Sequence, residues 1–100
     1  MILPELVTKK NGMLIDINGV KKRFTIDKEV RLTQSDYPEK VFVLQEILFE
    51  DGKKEIRIGY YIIGKKPKMK GKWVWGQYCP IIPKEDFEKL IELAKKEGIL

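Results

Sequence analysis

Two glycine turns constrain the fold of this chain more than any other feature. Asn18-Gly19 separates the runs MLIDI and VKKRFTI, and Asp51-Gly52 separates VFVLQEILFE from KEIRIGYYII. Asn-Gly and Asp-Gly between apolar runs are typical of two-residue β-hairpin turns, whose backbone needs residues that tolerate positive φ. The sequence therefore predicts antiparallel pairs of strands at Met13–Ile17, Val20–Ile26, Val41–Glu50 and Lys54–Ile63.

A C-terminal amphipathic helix is the second strong signal. Pro83 suits a first helical turn, because its missing N–H needs no partner there. Gly98 is typical of the residue that ends a helix. Between them, apolar residues recur at helical spacing and form one stripe. That stripe consists of Phe87, Leu90, Ile91 and Ala94. The sequence predicts a helix over 84–97.

The rest of the chain completes a single-domain prediction for residues 1–100. The polar segment 27–40 is expected to be a loop with at most a short helical turn. A lysine-rich loop is predicted over residues 64–71. The run KWVWGQYC is predicted to form a further strand that ends before Pro80. The expected fold is α+β. It consists of an N-terminal hairpin (13–26), a three-stranded meander (41–79) and one C-terminal helix packed on one face of a sheet of four to five antiparallel strands.

The amino-acid composition narrows the function classes. The 100 residues include no histidine and one cysteine, Cys79. Without histidine, the usual acid–base pairs and zinc sites are excluded, and Cys79 reads as a small buried side chain rather than a nucleophile. No catalytic, cofactor or metal residues are therefore predicted. One alternative stays open, a small metal-dependent nuclease that uses scattered carboxylates such as Glu46 and Asp51.

Cysteine usage and hydropathy also suggest a location. A single cysteine is typical of a reducing compartment, and we expect neither a signal peptide nor a membrane contact. The prediction is a cytoplasmic protein. Its abundance of lysine and glutamate suggests a thermophilic source.

Positive charge is concentrated beside large aromatic rings. The net charge is +5, yet residues 53–72 alone hold eight lysines and arginines against one carboxylate. The stretch KKPKMKGKWVWGQYC then places two tryptophans directly after the lysines. A basic segment of this kind favours a polyanionic partner, and the rings favour stacked bases.

Pairing arithmetic assigns side chains to the two faces of the predicted sheet. With a two-residue Asp51-Gly52 turn, residue 50 pairs with 53; a loop centred near Lys68 places 61 opposite 75 and 63 opposite 73. The face expected under the helix carries Ile56, Ile58, Tyr60, Ile62, Val74, Gly76, Tyr78, Val43, Ile47 and Phe49. The other face carries Arg57, Gly59, Tyr61, Ile63, Trp73, Trp75, Gln77, Phe42, Leu44, Glu46 and Leu48, with Arg57 opposite Glu46.

These observations predict a non-catalytic protein that forms a homodimer and binds single-stranded DNA or RNA. Duplexes hide the flat faces of their bases, so rings favour single strands or loops. Phosphates are expected at Arg57, Lys65, Lys66, Lys68, Lys70 and Lys72, and stacked bases at Tyr61, Trp73 and Trp75. The aliphatic residues on the same face leave alternatives open. The N-terminal hairpin could pack there, a homodimer could bury the face, or the face could be a protein–protein interaction module.

The second half of the chain, about 41–99, resembles the positive-cofactor-four family of transcriptional coactivators. The runs IRIGYYI, KMKGKWVWG and IPKEDFEKLIELAKK follow one another in the order of that family's strands, turn and helix. The resemblance implies a four-stranded antiparallel sheet with a C-terminal helix, dimerisation through the helix, and single-stranded DNA bound along exposed strands and lysine-rich turns. The positions it carries over are Arg57, Tyr61, Lys70, Lys72, Trp73 and Trp75.

Overall fold

One antiparallel sheet of five strands and one helix form the fold, in a computed structural model that describes residues 3–100. The strands follow each other in the sheet in chain order. They are β1 (Asn11–Ile15), β2 (Lys21–Gln34), β3 (Tyr37–Phe49), β4 (Lys54–Ile63) and β5 (Trp73–Trp75), and the helix α1 spans Lys84–Lys96. The predicted α+β fold with one C-terminal helix is confirmed.

Strands β2 and β3 are longer than the sequence predicts. Segment 27–40, expected to be a loop, instead continues β2 to Gln34 and begins β3 at Tyr37. Alternating side chains explain this: Val30 and Leu32 pack into the core, while their neighbours face the opposite side. A bulge between Ile26 and Lys28 bends the long β2 strand. At the other end of the sheet, β5 is only three residues long, shorter than predicted.

Both glycine hairpins close through three-residue loops, one residue longer than predicted. Asp16 N donates to Val20 O at 2.9 Å, and Phe49 N donates to Lys53 O at 2.9 Å. The glycine is the last loop residue each time, with φ of 78° at Gly19 and 88° at Gly52, whereas none of the described non-glycine residues has positive φ. This is the geometry of a turn followed by a glycine bulge. The dipeptides Asn18-Gly19 and Asp51-Gly52 are compatible with this geometry and with a two-residue turn, so the sequence alone does not distinguish the two.

That extra residue reverses the predicted faces of β3. Gln45 lies opposite Arg57, so Arg57 does not face Glu46 as predicted. Phe42 and Leu44 lie under the helix, and Val43, Ile47 and Phe49 lie on the opposite face, which is the reverse of the prediction. The pairing of β4 with β5 is confirmed, with Tyr61 opposite Trp75 and Ile63 opposite Trp73. Two residues expected in the core, Ile56 and Tyr78, are exposed.

The helix α1 covers one face of the sheet. Leu90 and Ala94 are fully buried against Phe42 and Leu44, whereas Phe87 stays largely exposed. Asp86 is also buried; its carboxylate accepts hydrogen bonds from the backbone and hydroxyl of Ser35 and so ties the helix to the β2–β3 turn. The predicted stop at Gly98 is confirmed by its φ of 77°. Within residues 3–100, no helix is long and apolar enough to cross a membrane.

The N-terminal segment, residues 3–10, crosses the face that the helix leaves open. Trp73 Nε1 on β5 donates to Pro4 O at 2.7 Å, and Arg31 Nη1 on β2 donates to Leu6 O at 2.8 Å. Because β3 and β4 lie between those two strands, the segment passes over both of them. Leu6 is buried there. The segment before β1 is thus one part of the cover on this face. The N-terminal hairpin, one of the alternatives left open by the sequence, is another part, since Leu14 and Phe24 pack with Ile47 and Phe49.

Candidate nucleic-acid interface

A groove of about 410 Å³ lies beside the N-terminal segment, on the face of the sheet away from the helix. Val7 and Lys9 line one side, and residues of β1 and β5 both contribute, although these strands are at opposite edges of the sheet. The sheet therefore curls around the groove. Four predicted site residues line it, namely Arg57, Tyr61, Trp73 and Trp75.

The Trp75 indole occupies the space beside residue 59, which is left free because that residue is a glycine and has no Cβ. Its benzene ring lies over Gly59, where an added Cβ would come within 2.3 Å of Cη2 and 2.4 Å of Cζ2. Tyr61 meets the indole edge to face, with ring centroids 5.1 Å apart. The side chain of Trp75 remains 38% exposed. An aromatic surface that is held in place on the sheet and remains partly exposed is suited to contact with a flat ligand.

The Arg57 guanidinium lies between two rings inside the groove. Its Cζ is 4.9 Å from the centroid of Phe24 and 4.6 Å from that of Trp75, within the range of cation–π attraction. Burial lowers the pKa of Arg57 from its ordinary value, an effect opposed by the nearby Tyr61 and Glu29. The group remains a cation, because arginine starts from a pKa far above neutrality.

A chain of polar side chains fixes this arginine and the N-terminal segment together. Arg57 Nε donates to Gln45 Oε1 at 2.9 Å, and Gln45 Nε2 donates to Glu29 Oε1 at 2.6 Å. Glu29 in turn accepts from Thr8 Oγ1 at 3.0 Å and from Arg31 Nε at 3.1 Å. Gln45 is fully buried. The chain joins three strands to the segment that crosses them, and it gives the buried Gln45 amide a partner for both its oxygen and its nitrogen.

The two remaining aromatic residues are less exposed than Trp75. Trp73 is half-buried, and its indole N–H is bonded to the N-terminal segment. Tyr61 is also half-buried; burial raises the pKa of its phenol, the Glu29 carboxylate raises it further, and Arg57 opposes the change. The phenol is therefore neutral at physiological pH and can donate or accept a hydrogen bond.

The lysine-rich loop adjoins the groove through Met69, which is one of its lining residues. Backbone hydrogen bonds make the loop compact: Gly64 N donates to Lys72 O, and Gly71 N donates to Gly64 O. All five lysines are exposed, namely Lys65, Lys66, Lys68, Lys70 and Lys72. Lys65 pairs with Glu39; the other four have no carboxylate within 4.0 Å among residues 3–100.

Several residues of the groove were not predicted from the sequence. Phe24 and the N-terminal segment were not predicted because they are far in sequence from the groove residues of β4 and β5. They reach the groove only because the sheet curls. Gln45 and Glu29 did leave a signal. A glutamine within the apolar run VFVLQEILF must find polar partners once that strand is buried.

The residues considered for catalysis have other contacts or are open to solvent. Asp51 Oδ1 accepts from the backbone of Lys53 in its turn, and Glu46 pairs with Lys54. In the chain from residue 3 onward, no three acidic or cysteine side chains are grouped so as to hold a metal ion. Cys79 is exposed, so its expected burial is wrong; it lies after β5 has ended, outside the sheet.

No protein-family model matches the chain, and comparisons with curated proteins and with solved structures gave no significant match.

Proposed function

We propose that this protein binds single-stranded nucleic acid in the groove, without catalysis. The observation that carries the proposal is the grouping of Arg57, Tyr61, Trp73 and Trp75 along one groove next to a loop with four unpaired lysines. Aromatic rings offer stacking surfaces to unpaired bases, and exposed lysines on a neighbouring loop suit the phosphates that connect them.

The two kinds of side chain have separate roles in this proposal. Trp75 is the main contact for bases, because it combines a fixed position with the largest exposure among the three rings. Trp73 and Tyr61 extend the aromatic surface. Lys66, Lys68, Lys70 and Lys72 bind phosphates, while Lys65 must first leave Glu39.

Fluorescence titration with a labelled oligothymidylate at two salt concentrations tests the proposal. We expect binding at low salt that weakens as salt rises, because phosphate contacts release counterions. Trp75→Ala should reduce affinity about tenfold, since a stacked base contributes about 1–3 kcal/mol. Changing the four unpaired lysines to glutamine should lower the slope of log K against log salt by about 0.7 for each lost phosphate contact.

Tyr78→Ala is the matched control for the aromatic substitution. Tyr78 lies three residues after the end of β5, is 80% exposed and does not line the groove. Its removal should leave affinity unchanged. Absence of binding at low salt, or equal affinity of the Trp75→Ala and native proteins with both folded by circular dichroism, would refute the proposal.

A homodimer and a cytoplasmic location are parts of the same proposal. The chain exposes apolar side chains that an interface could bury, among them Ile17 and Ile15 at the β1–β2 hairpin. Sedimentation velocity and fractionation of native cells would test the two statements.

A further inference from the structure

Arg57 differs from every other cation of the proposed site in its surroundings. The loop lysines are exposed, whereas Arg57 is half-buried within the groove. Phe24 and Trp75 lie near its guanidinium at 4.9 and 4.6 Å. With rings on two sides, the direction left for new hydrogen bonds is the edge of the guanidinium.

The hydrogen-bonding edge of the Arg57 guanidinium is held in one orientation before any ligand binds. Nε is committed to Gln45, which is held in turn by Glu29. The two terminal nitrogens, Nη1 and Nη2, donate no side-chain or backbone hydrogen bond within residues 3–100. Arginine carries five N–H donors, so the four terminal ones face the groove or solvent as a planar fork. A fork that is fixed before binding costs little entropy when it forms hydrogen bonds.

A base fits this fork better than a phosphate does. The groove is lined mainly by rings and aliphatic side chains, and a charged phosphate drawn into it would lose much of its hydration. Its volume of about 410 Å³ exceeds ten waters at about 30 Å³ each, which leaves room for a flat base. Among the four bases, guanine presents two adjacent acceptors, O6 and N7, that match a guanidinium fork.

We propose that Arg57 reads the O6 and N7 edge of an unpaired guanine, and that the groove therefore prefers guanine to the other bases. This inference rests on the proposed nucleic-acid function and adds a specificity to it. Gln45 and Glu29 are positioning residues for the arginine. The loop lysines, which contact phosphates, contribute equally for every base.

The experiment compares hexathymidylate with hexamers in which one central thymine is replaced by guanine, adenine, cytosine or 7-deazaguanine. We expect the guanine hexamer to bind about tenfold more tightly or better, in line with a bidentate contact. The 7-deazaguanine hexamer should lose most of that gain, since it lacks the N7 acceptor. This comparison uses the native protein and needs no variant.

The same set of hexamers is then titrated against the Arg57→Lys variant. Lysine keeps the charge but not the fork, so we expect the guanine preference to collapse while the slope of log K against log salt is retained. Arg23→Lys, on the exposed part of β2 and outside the groove, is the matched control and should keep the preference.

The outcomes separate this inference from the function on which it rests. Equal binding of all five hexamers would overturn the guanine contact and leave the nucleic-acid function standing. A uniform loss of affinity in Arg57→Lys would assign Arg57 to a phosphate and also overturn it. If no hexamer binds at low salt, the proposed function itself fails.

Discussion

The two faces of the sheet are closed in different ways. Under α1, the contact is mainly apolar, with Phe42, Leu44 and Leu90 all fully buried. On the opposite face, a smaller apolar cluster around Phe24 is combined with an irregular segment and a chain of polar side chains, and a groove remains. Apolar burial is the larger source of stability per residue, whereas polar contacts fix positions with small net gain. We infer that one face stabilises the fold and the other positions ligand-binding groups.

On both faces of the sheet an aromatic ring packs over a glycine, so the two faces can be compared at equivalent contacts. Tyr60 lies over Gly76 on the helix side, where an added Cβ would come within 2.0 Å of its Cζ. Trp75 lies over Gly59 on the groove side in the same way. Tyr60 is 8% exposed and Trp75 38% exposed. Gly59 on β4 and Gly76, the residue after β5, thus each leave room for an aromatic ring, but only Trp75 remains accessible.

Leu90→Ala should have the largest effect, and on stability. Leu90 is fully buried, so its truncation removes apolar contacts and leaves a cavity at a cost of about 2–5 kcal/mol in the free energy of unfolding. Urea denaturation followed by circular dichroism measures this. Oligonucleotide affinity of the folded variant should remain native, because the helix lies on the far side of the sheet from the groove.

Phe87→Ala provides the control on the same helix. Phe87 is 41% exposed, so its truncation should cost clearly less than that of Leu90. A Leu90→Ala protein that is as stable as the native chain would contradict the assignment of stability to the helix face. Loss of oligonucleotide binding by the folded variant would contradict the separation of the two faces.

How far the sequence predicts these faces depends on the turns. The helix, the β4–β5 register and the four groove residues on β4 and β5 follow from periodicity and from the glycines. The faces of β3 do not, because Asp51-Gly52 fits a two-residue turn and a three-residue loop equally well. One residue of difference moves every side chain of a strand to the other face.

The cover of the groove face was beyond sequence reasoning for another reason. Residues 3–10 have no regular structure and hence no period to detect. Their position depends on the burial of Leu6 and on hydrogen bonds to Glu29, Arg31 and Trp73, which lie far away in the chain. Contacts of that kind are specified by the folded sheet rather than by any local pattern.

Gly59→Ala should have an intermediate effect, confined to the groove face. Alanine in place of a strand glycine is ordinarily favourable by about 0.5–1 kcal/mol. Here the methyl group would meet Trp75, so we expect a net cost of about 1–3 kcal/mol and weaker oligonucleotide binding. The emission maximum of tryptophan should shift to longer wavelength as the indole is pushed outward.

A double-mutant cycle isolates the contact behind that cost. In a Trp75→Ala background the obstacle is gone, and Gly59→Ala should then be neutral or stabilising. If Gly59→Ala is equally costly with and without the indole, the clash is not its cause, and the fixed position assigned to Trp75 loses its physical reason.

The smallest effect is expected from the Tyr61 phenol at alkaline pH. Its pKa is raised in the folded protein, first by burial and then by Glu29. The unfolded chain therefore ionises at lower pH than the folded one. The neutral phenol contributes its stability fully below about pH 10, the ordinary tyrosine value, and that contribution is lost as the pH rises through the folded pKa. Tyr61→Phe should accordingly lose stability less steeply above pH 10 than the native protein, in urea denaturation at a series of pH values.

Tyr78→Phe, at an exposed position, serves as the control. Parallel curves for Tyr61→Phe and the native chain would mean that the groove is as well hydrated as open solvent, and the contrast between the two faces would then rest on the helix side alone.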